Sequence, residues 1–162
     1  MKIKTKELTK MALIAGIYVV LSLFTAPLCF GAIQIRLAEM LNLLVAVNKR
    51  YIIAVTLGCM ITNCFSPLGI VDVVIGGGST FVALFIGYHL SKNKPSLLTR
   101  MLIIGACVTL GTIAVAAELY YISHLPFWMT YGTVAAGEVL SLVLGGVILL
   151  LLKKTNHLKL LA

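Results

Sequence analysis

Beyond its basic first residues, the chain is a succession of six apolar segments cut apart by short clusters of charged and turn-forming residues. The segments run from about Leu8 to Pro27, from about Ile33 to Val47, over Tyr51–Phe65, from about Val71 to Leu90, over Leu98–Tyr120 and over Phe127–Leu152. Ser66-Pro67-Leu68-Gly69, Ser91-Lys92-Asn93-Lys94-Pro95 and Leu125-Pro126 separate the later ones. A membrane-crossing helix needs about 20 apolar residues. The second and third segments reach only about 22 Å each at 1.5 Å per residue. They must tilt, or be extended by irregular backbone that protein shields from lipid. Only 11% of the 162 residues are charged, against about a quarter in a soluble domain. With 60% hydrophobic residues and a mean hydropathy of +1.08, a soluble globule and a disordered chain are both excluded. So is a nucleic-acid binder, despite the net charge of +8. The expected fold is an all-α membrane protein: one domain over residues 1–162, built as a six-transmembrane-helix bundle. That length leaves no room for a nucleotide-binding domain, so energy from ATP would come from another chain.

The start of the chain, basic over Met1–Lys10 and apolar over Met11–Pro27, has the form of a signal peptide. Ala26-Pro27-Leu28-Cys29 also suggests a lipoprotein box, but large Leu28 stands where a small residue is needed. The reading adopted is a first transmembrane helix. Cys29, Cys59, Cys64 and Cys107 lie in apolar runs without ligand-like spacing, which fits small hydrophobes and gives no metal site. Gly76-Gly77-Gly78-Ser79-Thr80 resembles a phosphate loop, yet Gly78 occupies the position of the required lysine. These glycines are expected to serve close helix packing or a local break, and no cofactor is implied.

Basic residues orient the bundle. Lys2, Lys4, Lys6, Lys10, Lys49, Arg50, Lys92, Lys94, Arg100, Lys153, Lys154 and Lys159 all fall on one side of a six-span arrangement, and Arg36 alone falls on the other. Both termini are therefore expected in the cytoplasm of a multi-pass cell-membrane protein, with the loops near residues 28–36, 66–72 and 121–127 outside.

Five carboxylates are present, Glu7, Glu39, Asp72, Glu118 and Glu138. Glu7, among lysines, reads as a solvated charge. The other four lie in the middle or outer half of the membrane: Glu39 about 15 Å above Lys49, Glu138 about 22 Å above Lys153 and Glu118 about 27 Å above Arg100, with Asp72 at an outer loop. Ionisable groups at such depth are paired, buried in the bundle or part of a substrate path. Arg36 and Glu39, three apart, can pair with each other. Asp72 can cap the fourth helix, and Glu118 can be solvated at the interface. Glu138 has no basic residue within reach along its own helix. Gln34, Asn63 and Ser66 gather at the same level, as do Trp128 and Tyr131. Taken singly, Trp128, Tyr120 and Tyr121 read as an interfacial aromatic belt. Together these groups describe an outward-facing pocket, with aromatic faces to stack a planar ring and carboxylates and amides to read its edge. The candidate substrate-binding residues are Gln34, Arg36, Glu39, Asn63, Asp72, Trp128, Tyr131 and Glu138. Near the cytoplasmic end of the first span, Ala12 and Gly16 form a small-x-x-x-small pair where another helix can approach, from the bundle or from a partner chain.

Gln34-Ile35-Arg36-Leu37-Ala38-Glu39, Asn63-Cys64-Phe65-Ser66-Pro67-Leu68-Gly69 with Asp72 and Gly76–Gly78, and Gly137-Glu138 resemble the QueT family. Its members are substrate-binding S components of energy-coupling factor (ECF) transporters, associated with queuosine precursors. The resemblance covers nearly the whole chain. It implies a six-helix protein that captures a scarce planar, purine-like compound outside: a 7-deazaguanine such as preQ0, preQ1 or queuine. It also implies partners, a transmembrane T component and two cytoplasmic ATPases, the former contacted through an Ala-x-x-x-Ala motif that here reads Ala12 and Gly16. In such a pocket a carboxylate would accept from the ring N–H and amino group, and Asn63 or Gln34 would donate to the carbonyl. An aminomethyl ammonium would find Asp72, Glu118 or the remaining glutamate.

Three other readings compete. One is an S component for another vitamin. A second is a stand-alone secondary carrier using Glu39 and Glu138 as relays. The third, an intramembrane enzyme, lacks a catalytic constellation, because His89, His124 and His157 lie near span ends. The orientation can be tested directly. With the native cysteines replaced, a cysteine at Leu68 should react with an impermeant thiol reagent in intact cells, and one at Asn93 should not. The reverse pattern would invert the topology.

Overall fold

The computed structural model describes residues 5–25 and 36–161, and every regular element among them is helical. Helix α1 spans Thr5–Phe24, a 3-10 helix spans Leu37–Ala46, and α2 spans Tyr51–Asn63. Helices α3 (Ile70–Ser91), α4 (Leu97–Ser123) and α5 (Phe127–Lys154) follow, and a 3-10 turn over His157–Leu160 ends the described chain. The helices α1, α3, α4 and α5 are long and apolar enough to cross a bilayer, while Leu37–Ala46 and Tyr51–Asn63 are shorter apolar helices.

Local chemistry sets the breaks. The side chain of Asn48 accepts from the backbone N–H of Arg50 at 3.1 Å, turning the chain into α2. Gly69 enters α3 with φ +61°, a left-handed conformation that costs glycine little. His124 takes the same region at φ 53° where α4 stops, and Pro126 then precedes the first turn of α5. The glycine run Gly76–Gly78 lies inside α3, as continuous helix rather than a loop. A side chain at Gly76 would collide with the Asn63 amide, and one at Gly77 with Met60. These two glycines therefore let α3 press against α2.

The second apolar segment departs most from expectation. Where it is described it forms ten residues of 3-10 helix, a geometry rarely sustained beyond three or four residues. Ala38, Asn42, Val45 and Ala46 have no exposed surface, and the element packs against all five α-helices. Helices α1 to α5 contact one another in chain order, and the 3-10 helix closes the ring between α5 and α1. The surrounding helices thus shield its irregular backbone. It fits because α5 carries Gly145 directly against the backbone carbonyl of Met40.

Polarity is inverted relative to a soluble protein. Leu13, Val20, Val74, Leu102, Leu110 and Val143 are among the large apolar side chains on the outside, whereas Glu39, Asn42, Asn63, Asp72, Glu118 and Glu138 are buried. With lipid outside, helix association rests on close packing rather than on the hydrophobic effect. Glu7 is not simply solvated, for it forms an ion pair with Arg50 at the start of α2.

Gly145→Val would drive a branched side chain into the Met40 carbonyl, and over-packing of this kind costs about 1–3 kcal/mol. The variant should melt at a clearly lower temperature in detergent. Gly132→Ala, where nothing lies within 4 Å of the added carbon, should not. Equal melting temperatures for Gly145→Val and the parent would mean that α5 does not rest on the 3-10 helix.

Candidate functional site

A 3-10 helix has three residues per turn, so side chains at i, i+3 and i+6 stack on one ridge. Arg36, at its N-terminal boundary, and Glu39 and Asn42, within it, occupy such a ridge. The Glu39 carboxylate accepts two short hydrogen bonds. The Tyr18 hydroxyl donates to Oε1 at 2.7 Å, and the Asn42 amide donates to Oε2 at 2.6 Å. All three side chains are buried, and hydrogen bonds to a charged acceptor are the stronger kind. Glu39 is thus held by Tyr18 and Asn42, and no ion pair to Arg36 forms. Arg36 faces Asp72 instead, Nη2 to Oδ1 at 3.9 Å. At that separation the contact is electrostatic rather than a hydrogen bond.

Above this ridge lies a cavity of about 30 Å³ between the 3-10 helix, α3, α4 and α5. Arg36, Glu39, Ser79, Thr80, Thr112 and Glu138 line its polar part, and Ala83, Val108, Gly111, Val115 and Val134 the rest. Glu138 is buried in α5, and its Oε1 has no hydrogen-bond partner. Its remaining environment includes the Asn42 amide. Ser79 donates its hydroxyl proton to the Gly76 carbonyl at 3.0 Å, and Thr112 donates to the Thr109 carbonyl at 2.7 Å. Both therefore offer only lone pairs to the cavity. Glu39 and Glu138 also offer acceptors, and Arg36 is the charged donor. Such a wall suits a guest with several N–H groups and one acceptor.

The structure brings together Arg36, Glu39 and Glu138 from the sequence-derived set and seats Asp72 behind Arg36. Asp72 stands in the first turn of α3, while Gly69 takes the capping position. Asn63 does not line the cavity: its amide donates to the Asp72 backbone carbonyl at 2.9 Å, fixing the start of α3. Trp128 and Tyr131 also lie apart from the cavity. They flank Phe127 with ring centroids at 5.0 and 6.5 Å, and Trp128 is 76% exposed. Gln34 lies outside the described residues. Glu118 is not solvated but 3% exposed, and both its carboxylate oxygens lack partners. Tyr18, Asn42 and Thr112 were not singled out from sequence, and Ser79 and Thr80 were noted only as the end of the glycine run. Tyr18 carried a readable signal, since Met11, Ile14, Tyr18 and Ser22 recur at helical spacing and mark the buried face of α1. Ala12 and Gly16 lie on the opposite, exposed face, and nothing lies within 4 Å of a carbon added at Gly16.

Comparison with known proteins identifies the family. No solved structure matches the chain. A curated relative from Lactococcus lactis subsp. cremoris (strain MG1363), the queuosine precursor transporter QueT, is 36% identical over 157 residues, covering 91% of this chain and 92% of the relative. The family described as QueT transporter matches residues 8–154, and with both matches spanning nearly its full length, the chain belongs to the QueT transporter family.

Proposed function

We propose that this protein binds a queuosine precursor, a 7-deazaguanine, in the cavity between the 3-10 helix, α3, α4 and α5. The observation that carries the reading is the buried, unpartnered Glu138 Oε1 in a wall rich in acceptors. A buried polar group without a partner is costly. The guanine-like edge supplies what the wall lacks, a ring N–H and an amino group side by side and a carbonyl next to them. Glu138 accepts from the N–H groups, and Arg36 donates to the carbonyl, taking the part expected of Asn63 or Gln34. Glu39, with both oxygens engaged, forms the fixed floor. The cavity of about 30 Å³ holds about two waters at roughly 10–15 Å³ each. Ring entry must therefore spread its walls. The name of the Lactococcus relative, a queuosine precursor transporter, supports the same ligand class.

The protein acts in this reading as the S component of an ECF importer in the cell membrane, crossing it six times with both termini in the cytoplasm. Twelve of the thirteen basic residues on one side support that orientation. A T component docks on the exposed Ala12 and Gly16 face of α1, and two cytoplasmic ATPases supply the energy; the protein itself is not an enzyme. A stand-alone carrier would need Glu39 and Glu138 to exchange protons. The double engagement of Glu39 by Tyr18 and Asn42 counts against that role.

Glu138→Gln replaces a charged acceptor with a neutral group of the same size. A hydrogen bond to a charged group contributes roughly 1.5–3 kcal/mol, so affinity for preQ1 should fall about tenfold or more in calorimetry while melting behaviour is kept. Unaltered affinity would make Glu138 purely structural. Replacing Ala12 and Gly16 together by Leu should leave ligand binding intact, abolish co-purification with the T component and stop uptake. Uptake that survives in that variant, or by the chain alone, would sink the partner assignment.

A further inference from the structure

We infer that Glu118 forms a second recognition point, separate from the ring-reading cavity, for a cationic substituent carried by the ligand. The inference rests on the reading of the cavity given above and adds the chemistry of the ligand's side arm.

Glu118 lies on the cavity-lining face of α4, seven residues after Gly111 and three after Val115, two of the lining residues. It stands about 4.5 Å along the axis beyond Val115, towards the C-terminal end of the helix. The side chain is 3% exposed, and neither oxygen has a hydrogen-bond partner. Val115 and Leu119 of the same helix form a small apolar cluster with Val134, against which Leu68 packs. Two charges act on it from other elements, Asp72 of α3, which repels, and Arg36, which attracts but already faces Asp72.

The buried charges of this region do not balance. Glu39, Asp72, Glu118 and Glu138 share the single guanidinium of Arg36. Glu39 is stabilised by two donors and Asp72 by Arg36; Glu138 keeps one unpartnered oxygen, read above as the ring acceptor, and Glu118 is left with neither oxygen partnered. A desolvated carboxylate without a counter-charge is costly, and such a group takes up a proton or pairs with a cation. Among the described residues no group of three His, Cys, Asp or Glu side chains is arranged to hold a metal ion. An organic ammonium, with three N–H donors and one charge, meets the need. The geometry agrees with the ring placement. In a 7-deazaguanine the 7-substituent projects on the same side as the ring carbonyl. With Arg36 on the carbonyl, a one-carbon arm lies on the side of Arg36 and Asp72, the two charges that act on Glu118.

The test compares two probes that differ only in the arm, 7-aminomethyl- and 7-cyano-7-deazaguanine, by calorimetry on the purified full chain. The parent protein should bind the aminomethyl compound about tenfold or more tightly than the cyano compound. Glu118→Gln should weaken the aminomethyl compound alone and bring the two within about threefold. Glu118→Asp, which keeps the charge, should retain a preference for the amine. Parent protein that binds both compounds equally, or a Glu118→Gln variant that weakens both equally, would overturn the cationic subsite and leave the deazaguanine reading standing. If the parent binds neither compound, the deazaguanine reading itself fails.

Discussion

A stretch of 3-10 helix in the middle of the bundle is the constraint on which the rest depends. Its three-residue period aligns Arg36, Glu39 and Asn42 on one ridge, which an α-helix would fan over about 120°. Its backbone is shielded by five α-helices, so a geometry that lipid would not tolerate is allowed here. Gly145 must stay small for α5 to lie against it, and Tyr18 must reach across from α1 to hold Glu39. Most of the cavity's charge is delivered by this one element.

The burial of so many ionisable groups follows the same logic. In lipid an apolar exterior is neutral to packing, and the interior is the place where polar side chains find partners. Asn42 and Tyr18 satisfy Glu39, Arg36 faces Asp72, and Asn63 fastens the first turn of α3. Among the described residues the buried side-chain atoms left without partners are Asn42 Oδ1, Thr56 Oγ1, Arg100 Nε, Glu138 Oε1 and both oxygens of Glu118. Of these, Glu138 lines the cavity.

Hydropathy located the elements well, because in a membrane protein the apolar run and the helix nearly coincide. The ends of the five α-helices differ from the apolar segments by three residues or fewer. Helix α1 begins earlier, through basic residues that are good helix formers, and α4 continues to Ser123 before His124 turns it left-handed. The 3-10 geometry was not legible. Leu, Ala, Glu and Met favour an α-helix, and only enclosure by the other helices selects the slimmer form. The carboxylates of the site were visible as anomalies against an apolar background, but their pairing was not. The three-residue spacing suggested an Arg36–Glu39 pair, whereas tertiary packing brings Asp72 to Arg36. Trp128 and Tyr131 looked like ring-stacking groups, yet the aromatic cluster around Phe127 takes them away from the cavity.

Helix α1 has two faces with different duties. Gly16 lies on the outward face with open space beside it, and Tyr18, two residues on, lies on the inward face with its hydroxyl on Glu39. The two positions are about 200° apart around the axis at 3.6 residues per turn. A small axial rotation of α1 therefore has opposite effects at its two edges. It presents a new contour to whatever lies outside and draws the Tyr18 hydroxyl away from Glu39, giving back a lone pair to the carboxylate. One helix thus carries both an outward contour at Gly16 and a hydrogen bond to the cavity floor through Tyr18.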